Sequence, residues 1–275
     1  MFPVLFSIHP ITIYTIGVFL VLAFLAGGYV FWRKGREEHY QEEELFDAFL
    51  LTTVWGILWA RVGFIALNFS HFQLAALKWL DVFNYPGMYP LLGLVMGVWF
   101  LFQRAKKQKW DENEILDFAA LAITLGLVIV SIGSFFDGSG IGNPTSLPWG
   151  VTFPSVFDRR HPVQLYGALF YLLVFVLLNW LEPRYRMFEW YRNKKHSAQT
   201  GFLFAVFCIC YGVYGIALSF LSPAQVTLFD INIDLPLRVG ILLFGLIKLW
   251  AQSGRGFISL PKKTRQIPVV VDEKK

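Results

Sequence analysis

The sequence predicts an all-α, polytopic membrane protein with about seven transmembrane helices, the N-terminus outside and the C-terminus in the cytoplasm. Three observations carry this. Hydrophobic types make up 56% of the 275 residues and charged types only 16%, against about 45–50% and about 25% in soluble domains. Seven apolar stretches, near 11–32, 46–68, 87–103, 116–136, 163–181, 201–221 and 236–252, come close to the ~20 residues that cross hydrocarbon as a helix. The basic residues between them are one-sided. Eighteen of the 24 Lys and Arg fall in segments 33–45, 104–114, 182–199 and the tail from 253, whereas only Lys78, Arg159 and Arg160 fall in the opposite gaps. The side rich in Lys and Arg is the cytoplasmic one.

In chain order, the first stretch has no basic residue before it and an apolar core too long for a signal peptide. The second and fourth helices are preceded by Glu37–Glu44 and Asp111–Glu114, acids suited to the positive end of a helix. The segment 137–161 is rich in Gly, Pro, Ser and Asn and reads as an external turn-rich loop, with Ser222–Leu235 as a shorter external cap. Residues 1–253 form one transmembrane domain, and 254–275 a charged cytoplasmic tail. Cys208 and Cys210 lie inside an apolar run at i,i+2, on different helix faces, and read as core. No metal-ligand spacing is present, and no cofactor is expected. The net charge of +5 does not imply nucleic acid, because the basic residues sit in the gaps between apolar segments.

Three places carry candidate chemistry. Arg61 sits deep in the second stretch, where a charge costs several kcal/mol unless paired. It is either a ligand for an anionic headgroup or a structural arginine on helix carbonyls or a tyrosine. The run Gly133–Thr145 holds four glycines within ten residues and can present N–H groups to an anion, although Asp137 opposes one and a plain turn competes. The run His161-Pro162-Val163-Gln164-Leu165-Tyr166 reads as a helix start, with Pro162 at the first helical position, His161 at the cap and Gln164 as its capping-box partner. Its functional alternative is a polar cluster at the outer face with His161 as acid, base or phosphate donor.

These runs resemble bacterial prolipoprotein diacylglyceryl transferase. Leu147-Pro148-Trp149-Gly150-Val151 and His161–Tyr166 resemble the family's x-P-T-x-L-P-W-G-V and H-P-x-Q-L-Y-E. Tyr14 resembles the tyrosine of R-W-Y-G, and Ala60–Phe64 resembles G-A-R-x-G-Y. Gly87-Met88 with Gly93 resembles G-G-M-x-x-H-G-G, Tyr211-Gly212 opens Y-G-x-x-R-F-x-x-E-F-x-R, and Leu235-Pro236 matches the final S-x-P-M. The resemblance spans roughly residues 10–250. It implies a multi-pass protein of the bacterial plasma (inner) membrane that moves diacylglycerol from phosphatidylglycerol to a lipobox cysteine thiol of a preprolipoprotein. The partners it implies are an anionic phospholipid and that preprolipoprotein. By this resemblance, His161 and Tyr14 are the catalytic candidates, and Arg61, Gly142, Gln164, Tyr166 and Arg238 are the substrate-binding ones.

Several charged positions of the pattern are replaced. The signature G-R-I-G-N-F-x-N-G-E has Ser131, Ser134, Asp137 and Ser139 at its arginine, two asparagines and glutamate. The histidine falls at Leu91, and the arginine of Y-G-x-x-R-F falls at Gly215. The later glutamate and arginine fall at Ser219 and Ser222, Thr12 stands before the first-helix tyrosine, and Gly167 ends H-P-x-Q-L-Y-E. These substitutions predict transfer that is weak or absent. The alternative to a transferase is a non-catalytic member that binds lipid or a membrane partner, or one with a changed substrate. An unrelated transporter would need more paired intramembrane charges than Arg61 supplies.

Overall fold

A computed structural model describes residues 2–8, 11–73, 76–82, 84–188, 191, 199–223, 227–228 and 231–253. The expected tail 254–275 lies outside them. Nine α-helices appear among the described residues: α1 Thr15–Glu37, α2 Glu42–Leu67, the short α3 Phe69–Phe72 and α4 Ala76–Leu80, α5 Pro90–Lys107, α6 Glu112–Asp137, α7 Val163–Leu181, α8 Phe202–Leu221 and α9 Asp234–Gln252. Seven are long, and they fall on the seven expected stretches. By length and composition, α1, α2, α6, α7 and α8 can each cross a membrane.

Two helix starts differ from expectation. The first stretch does not begin as helix: Val4–Ile8 (β1) and Ile11–Tyr14 (β2) pair antiparallel, and α1 starts at Thr15. β-branched Ile11, Thr12 and Ile13 favour extended backbone, and Thr15 N donates to Pro3 O at 3.0 Å, tying the hairpin to the helix start. The third stretch stays extended through Tyr89, with α5 beginning at Pro90. Gly87 takes φ 148°, and a Cβ there would enter the Phe64 ring, so only glycine fits.

The bundle is centred on α6, which touches α1, α5, α7 and α8, while α2 packs on α5 and α8 on α9. Small residues set the closest crossings. A Cβ on Gly93 would lie 2.6 Å from Gly56 O and 2.8 Å from the Ala60 Cβ. Gly56 and Ala60 on α2 thus face Gly93 and Gly97 on α5, a small-xxx-small seam of the kind that lets backbones meet without lipid between them. On α8 and α9, a Cβ on Gly212 would meet the Leu242 backbone, and one on Gly245 would lie 2.9 Å from Ala205 O. Cys208 is buried and Cys210 half-buried; both are free, as expected of core positions.

Polar groups close the end of the bundle that carries the basic loops. Asp111 caps α6, accepting from Asn113 N at 3.0 Å and Glu114 N at 3.1 Å. The buried Asp117 carboxylate accepts from Gly201 N at 2.7 Å and Phe204 N at 2.8 Å. α6 therefore supplies the anion for the N-terminus of α8, where the helix dipole favours one. Lys34 bridges α1 to Glu182 at 2.8 Å. Nearby, burial and then a hydrogen bond to Glu114 push the Tyr40 phenol well above its ordinary range.

The glycine seam can be tested by substitution. Gly93→Ala should cost about 1–3 kcal/mol by overpacking and lower the melting temperature in detergent. Gly240→Ala, with nothing within 4 Å of the added methyl, should leave it unchanged. Equal melting of the two variants would refute the seam.

Candidate functional site

The opposite end of the bundle gathers the start of α1 with its hairpin, the end of α2 and segment 68–89, the end of α6 with loop 138–162, the end of α8 and the start of α9. Phe2 N donates to Phe136 O at 2.9 Å, Asn143 N to Leu221 O at 2.8 Å, and Tyr89 N to Ala60 O at 2.8 Å. Most of the sequence-predicted site residues lie here.

The loop 138–162 is locked rather than loose. Val151–Thr152 (β3) pairs with Arg159–Arg160 (β4), and Gly142 N donates to His161 O at 3.2 Å. A Cβ on Gly142 would sit 2.6 Å from His161 O and 2.9 Å from Leu221 O, so glycine is what lets the loop wedge between α7 and α8. His161 does not cap α7. The N-cap is Pro162, no side chain closes it, and His161 stands one residue further out. The Gln164 capping box is not formed either: its Nε2 donates to Ser139 O at 2.6 Å instead, and its Oε1 is buried with no partner. The proline ring at the cap, with φ −77° and ψ 67°, turns the chain away before the helix begins.

Freed from capping, His161 presents Nδ1 to the Tyr166 hydroxyl at 3.4 Å, and Trp149 Nε1 donates to that hydroxyl at 2.9 Å. The indole and phenol come from the two matched motifs, joined here into one polar chain. Beside them, Arg160 donates from Nη1 to Gly142 O at 3.3 Å, its Nη2 lies 4.0 Å from Asp158 Oδ2, and its Nε is buried without a partner. The structure thus brings Gly142, His161, Gln164 and Tyr166 together.

Arg61 and Tyr14 are placed differently. Arg61 is buried, and all five of its N–H groups point at backbone carbonyls: Nε at Trp79 O (3.0 Å), Nη1 at Tyr85 O (2.8 Å) and Gly87 O (2.9 Å), Nη2 at Lys78 O (3.4 Å) and Asp81 O (3.3 Å). The guanidinium also lies 5.3 Å from the Phe72 ring centre. This is the structural arrangement weighed above: one cation ties segment 78–87 to α2. Tyr14 is 57% exposed and borders a shallow groove of about 350 Å³ with Ile13, Gly17, Val18, Val21 and Leu22. A separate apolar cavity of about 230 Å³ lies between α1, α2, α5 and α6, lined by Gly27, Phe49, Gly56, Gly93, Gly97 and Gly126 among others, and by none of the seven expected site residues.

Arg238 lies on α9 against α8, where its Nη1 donates to Gly215 O at 3.2 Å. On α7 and α8, Tyr171 packs against Tyr214 at 5.2 Å and Tyr211 at 6.3 Å. One turn earlier on α9, the buried Asp234 carboxylate accepts from Tyr89 OH at 2.7 Å. Burial, and then that hydrogen bond, push the Tyr89 phenol well above its ordinary range, so it stays protonated and donating. Tyr214 connects the two groups: its hydroxyl donates to Val163 O at 3.1 Å, and its ring stacks on Phe170 at 4.7 Å. The sequence reading missed Tyr89, Tyr214 and Asp234. Asp234 at the head of the last apolar stretch was the available signal, since an acid there needs a partner from another element.

The arrangement defines a polytopic helical membrane protein with a cationic, phenol-rich site at one end of its bundle. The family model described as prolipoprotein diacylglyceryl transferase matches residues 3–251. A phosphatidylglycerol–prolipoprotein diacylglyceryl transferase of Solidesulfovibrio magneticus is 30% identical over an alignment of 277 residues, covering 94% of this chain and 89% of the relative. Relatives of the same name are 28% identical in Clostridium tetani, covering 80% and 84%, and 27% identical in Legionella pneumophila, covering 91% and 96%. The chain belongs to the prolipoprotein diacylglyceryl transferase family.

The role of Arg61 is open to a direct test. Arg61→Ala should lower the melting temperature by about 10 °C, because several charge-assisted bonds of about 1.5–3 kcal/mol each are lost. Arg61→Lys should recover little, since an ammonium has three donors and no planar fork. In both variants, limited proteolysis should cut segment 68–89 faster. Unaltered proteolysis would show that the carbonyl clamp does not hold the segment.

Proposed function

We propose that this protein transfers the diacylglyceryl group of phosphatidylglycerol to the thiol of a prolipoprotein cysteine. In this reading the transfer occurs at the outer leaflet of a bacterial plasma membrane. The observation that supports it best is the His161–Tyr166–Trp149 chain standing beside Arg160 at the end of the bundle. The relatives' name supplies the substrates. The thiol sulfur attacks the glycerol carbon that bears the phosphate, and a C–S bond forms as the C–O bond breaks. The glycerol phosphate leaves with the bonding pair. His161 takes the thiol proton, directly or through Tyr166, since the thiolate is the nucleophile. Arg160 and Arg238 bind the phosphate and stabilise the charge that grows on it. Arg61, with its donors on carbonyls, holds the wall of the site.

With Leu91, Ser131 and Ser134 at positions the family fills with histidine, arginine and asparagine, few donors remain, and the reaction is slow. The direct test uses purified protein in phosphatidylglycerol liposomes with a lipobox peptide, scored by the mass of the thioether product. Product is expected from the wild type, with a loss of about 100-fold or more in His161→Ala. Phosphatidylglycerol that binds without any product would overturn the transfer and leave a lipid-binding protein.

The orientation has its own test. Eighteen of 24 Lys and Arg in one set of gaps between the apolar stretches support a cytoplasmic C-terminus. A reporter fused after Lys275 should be cytoplasmic, and one inserted near Ser146 external. The reverse pattern would invert the topology.

A further inference from the structure

We propose that the arginine which the family pattern carries on α8, at the position of Gly215, has moved in this chain to Arg238 on α9 and binds the phosphate of the phospholipid from there. The proposal rests on the transfer reading for its substrate, but its observations are independent of the chemistry.

The first observation is one of volume. A Cβ built on Gly215 would lie 2.7 Å from Arg238 Cδ, 2.7 Å from its Nη1 and 3.0 Å from its Cγ. The Arg238 side chain therefore fills the space into which any side chain at 215 would project. An arginine cannot stand at both positions, so Gly215 and Arg238 form a reciprocal pair in which the loss of one side chain makes room for the other. The contact is with the guanidinium end of Arg238, so the charged group itself occupies the space beside Gly215.

The second observation is one of charge. Among the described residues no carboxylate lies within ion-pair distance of Arg238. Asp234, one turn away, is engaged by Tyr89 OH. Arg238 has one hydrogen bond, to Gly215 O at 3.2 Å, and its Nε is buried with no partner. A half-buried cation with four of its five donors uncommitted contrasts with Arg61, where every donor is used. In a membrane such a cation is costly unless it meets an anion. Tyr214, next to Gly215 on α8, and Tyr211, one turn earlier, pack against Tyr171 at 5.2 and 6.3 Å, so this stretch of α7 and α8 brings phenols rather than carboxylates. A single fixed charge with four uncommitted N–H donors suits a phosphodiester, which carries one negative charge and several acceptor oxygens.

The experiment compares the wild type with Arg238→Gln, Gly215→Ala and the transplant Gly215→Arg/Arg238→Leu, using Gly240→Ala as a control. Each is exchanged into mild detergent with phosphatidylglycerol, and bound lipid is counted by native mass spectrometry. Thermal shifts with inorganic phosphate alone form a second arm, and thioether formation a third. Arg238→Gln keeps a donor for Gly215 O and should fold, yet lose phosphatidylglycerol about tenfold or more. Gly215→Ala should lose it in part by displacing the guanidinium, and the transplant should regain it to within about threefold of wild type. Lipid retention with no shift from phosphate assigns the site to the lipid. A shift from phosphate that is lost in Arg238→Gln assigns it to any phosphate group, and both results support the proposal. Phosphatidylglycerol retained equally by folded Arg238→Gln overturns it, as does a folded transplant no better than Arg238→Gln. Wild type without thioether product, but with Arg238-dependent lipid, sinks the transfer and leaves this proposal standing. Wild type with product and Arg238→Gln equally active does the reverse.

Discussion

In hydrocarbon a hydrogen-bonding group has no water to turn to, and the rest of this structure follows from that constraint. It forces the apolar stretches into helices, whose backbones satisfy themselves. It also governs two breaks between them. Where α8 begins, its exposed N–H groups meet the Asp117 carboxylate from α6. Where the chain between α2 and α5 leaves regular structure, its carbonyls converge on Arg61. Polar residues at depth serve mostly as sealing partners for backbone, and glycine seams do the packing that water exclusion does in soluble cores.

Against that background the two intramembrane arginines separate. Arg61 looked the more functional in sequence, because it lay in a matched motif and far from either end of its helix. In three dimensions it has as many partners as donors. Arg238, two residues past the matched Leu235-Pro236, carried the same expected substrate-binding role near the start of the last apolar stretch. It is the one left with donors to spare. Arg61 is buried and Arg238 half-buried, yet it is the count of donors against acceptors that separates their roles.

The positions of the long helices were legible because apolar runs near 20 residues have few other solutions. The starts of the first and third helices were not. Ile11–Tyr14 is as apolar as the helix it precedes, and hydropathy cannot tell a hairpin from a first turn. Pro162 pointed to a helix start but not to its phase: placing proline at the N-cap moved His161 out of the cap and Gln164 onto Ser139. Gly142, His161, Gln164 and Tyr166 could be grouped from sequence because they lie within one loop and one helix turn. Tyr89 and Asp234 could not, since 145 residues separate them and nothing local links a phenol before α5 to an acid at the start of α9.

That separation matters while the chain is being made. Asp117 leaves the ribosome 84 residues ahead of Gly201, the amide that receives it. At a synthesis rate of about 5–20 residues per second the carboxylate waits roughly 4–17 s for its partner, and Tyr89 waits roughly 7–29 s for Asp234. A lone carboxylate does not rest in lipid tails for that time. The nascent α6 must be held in a wet or protein-lined place, or enter the bilayer with its acid protonated, until α8 arrives.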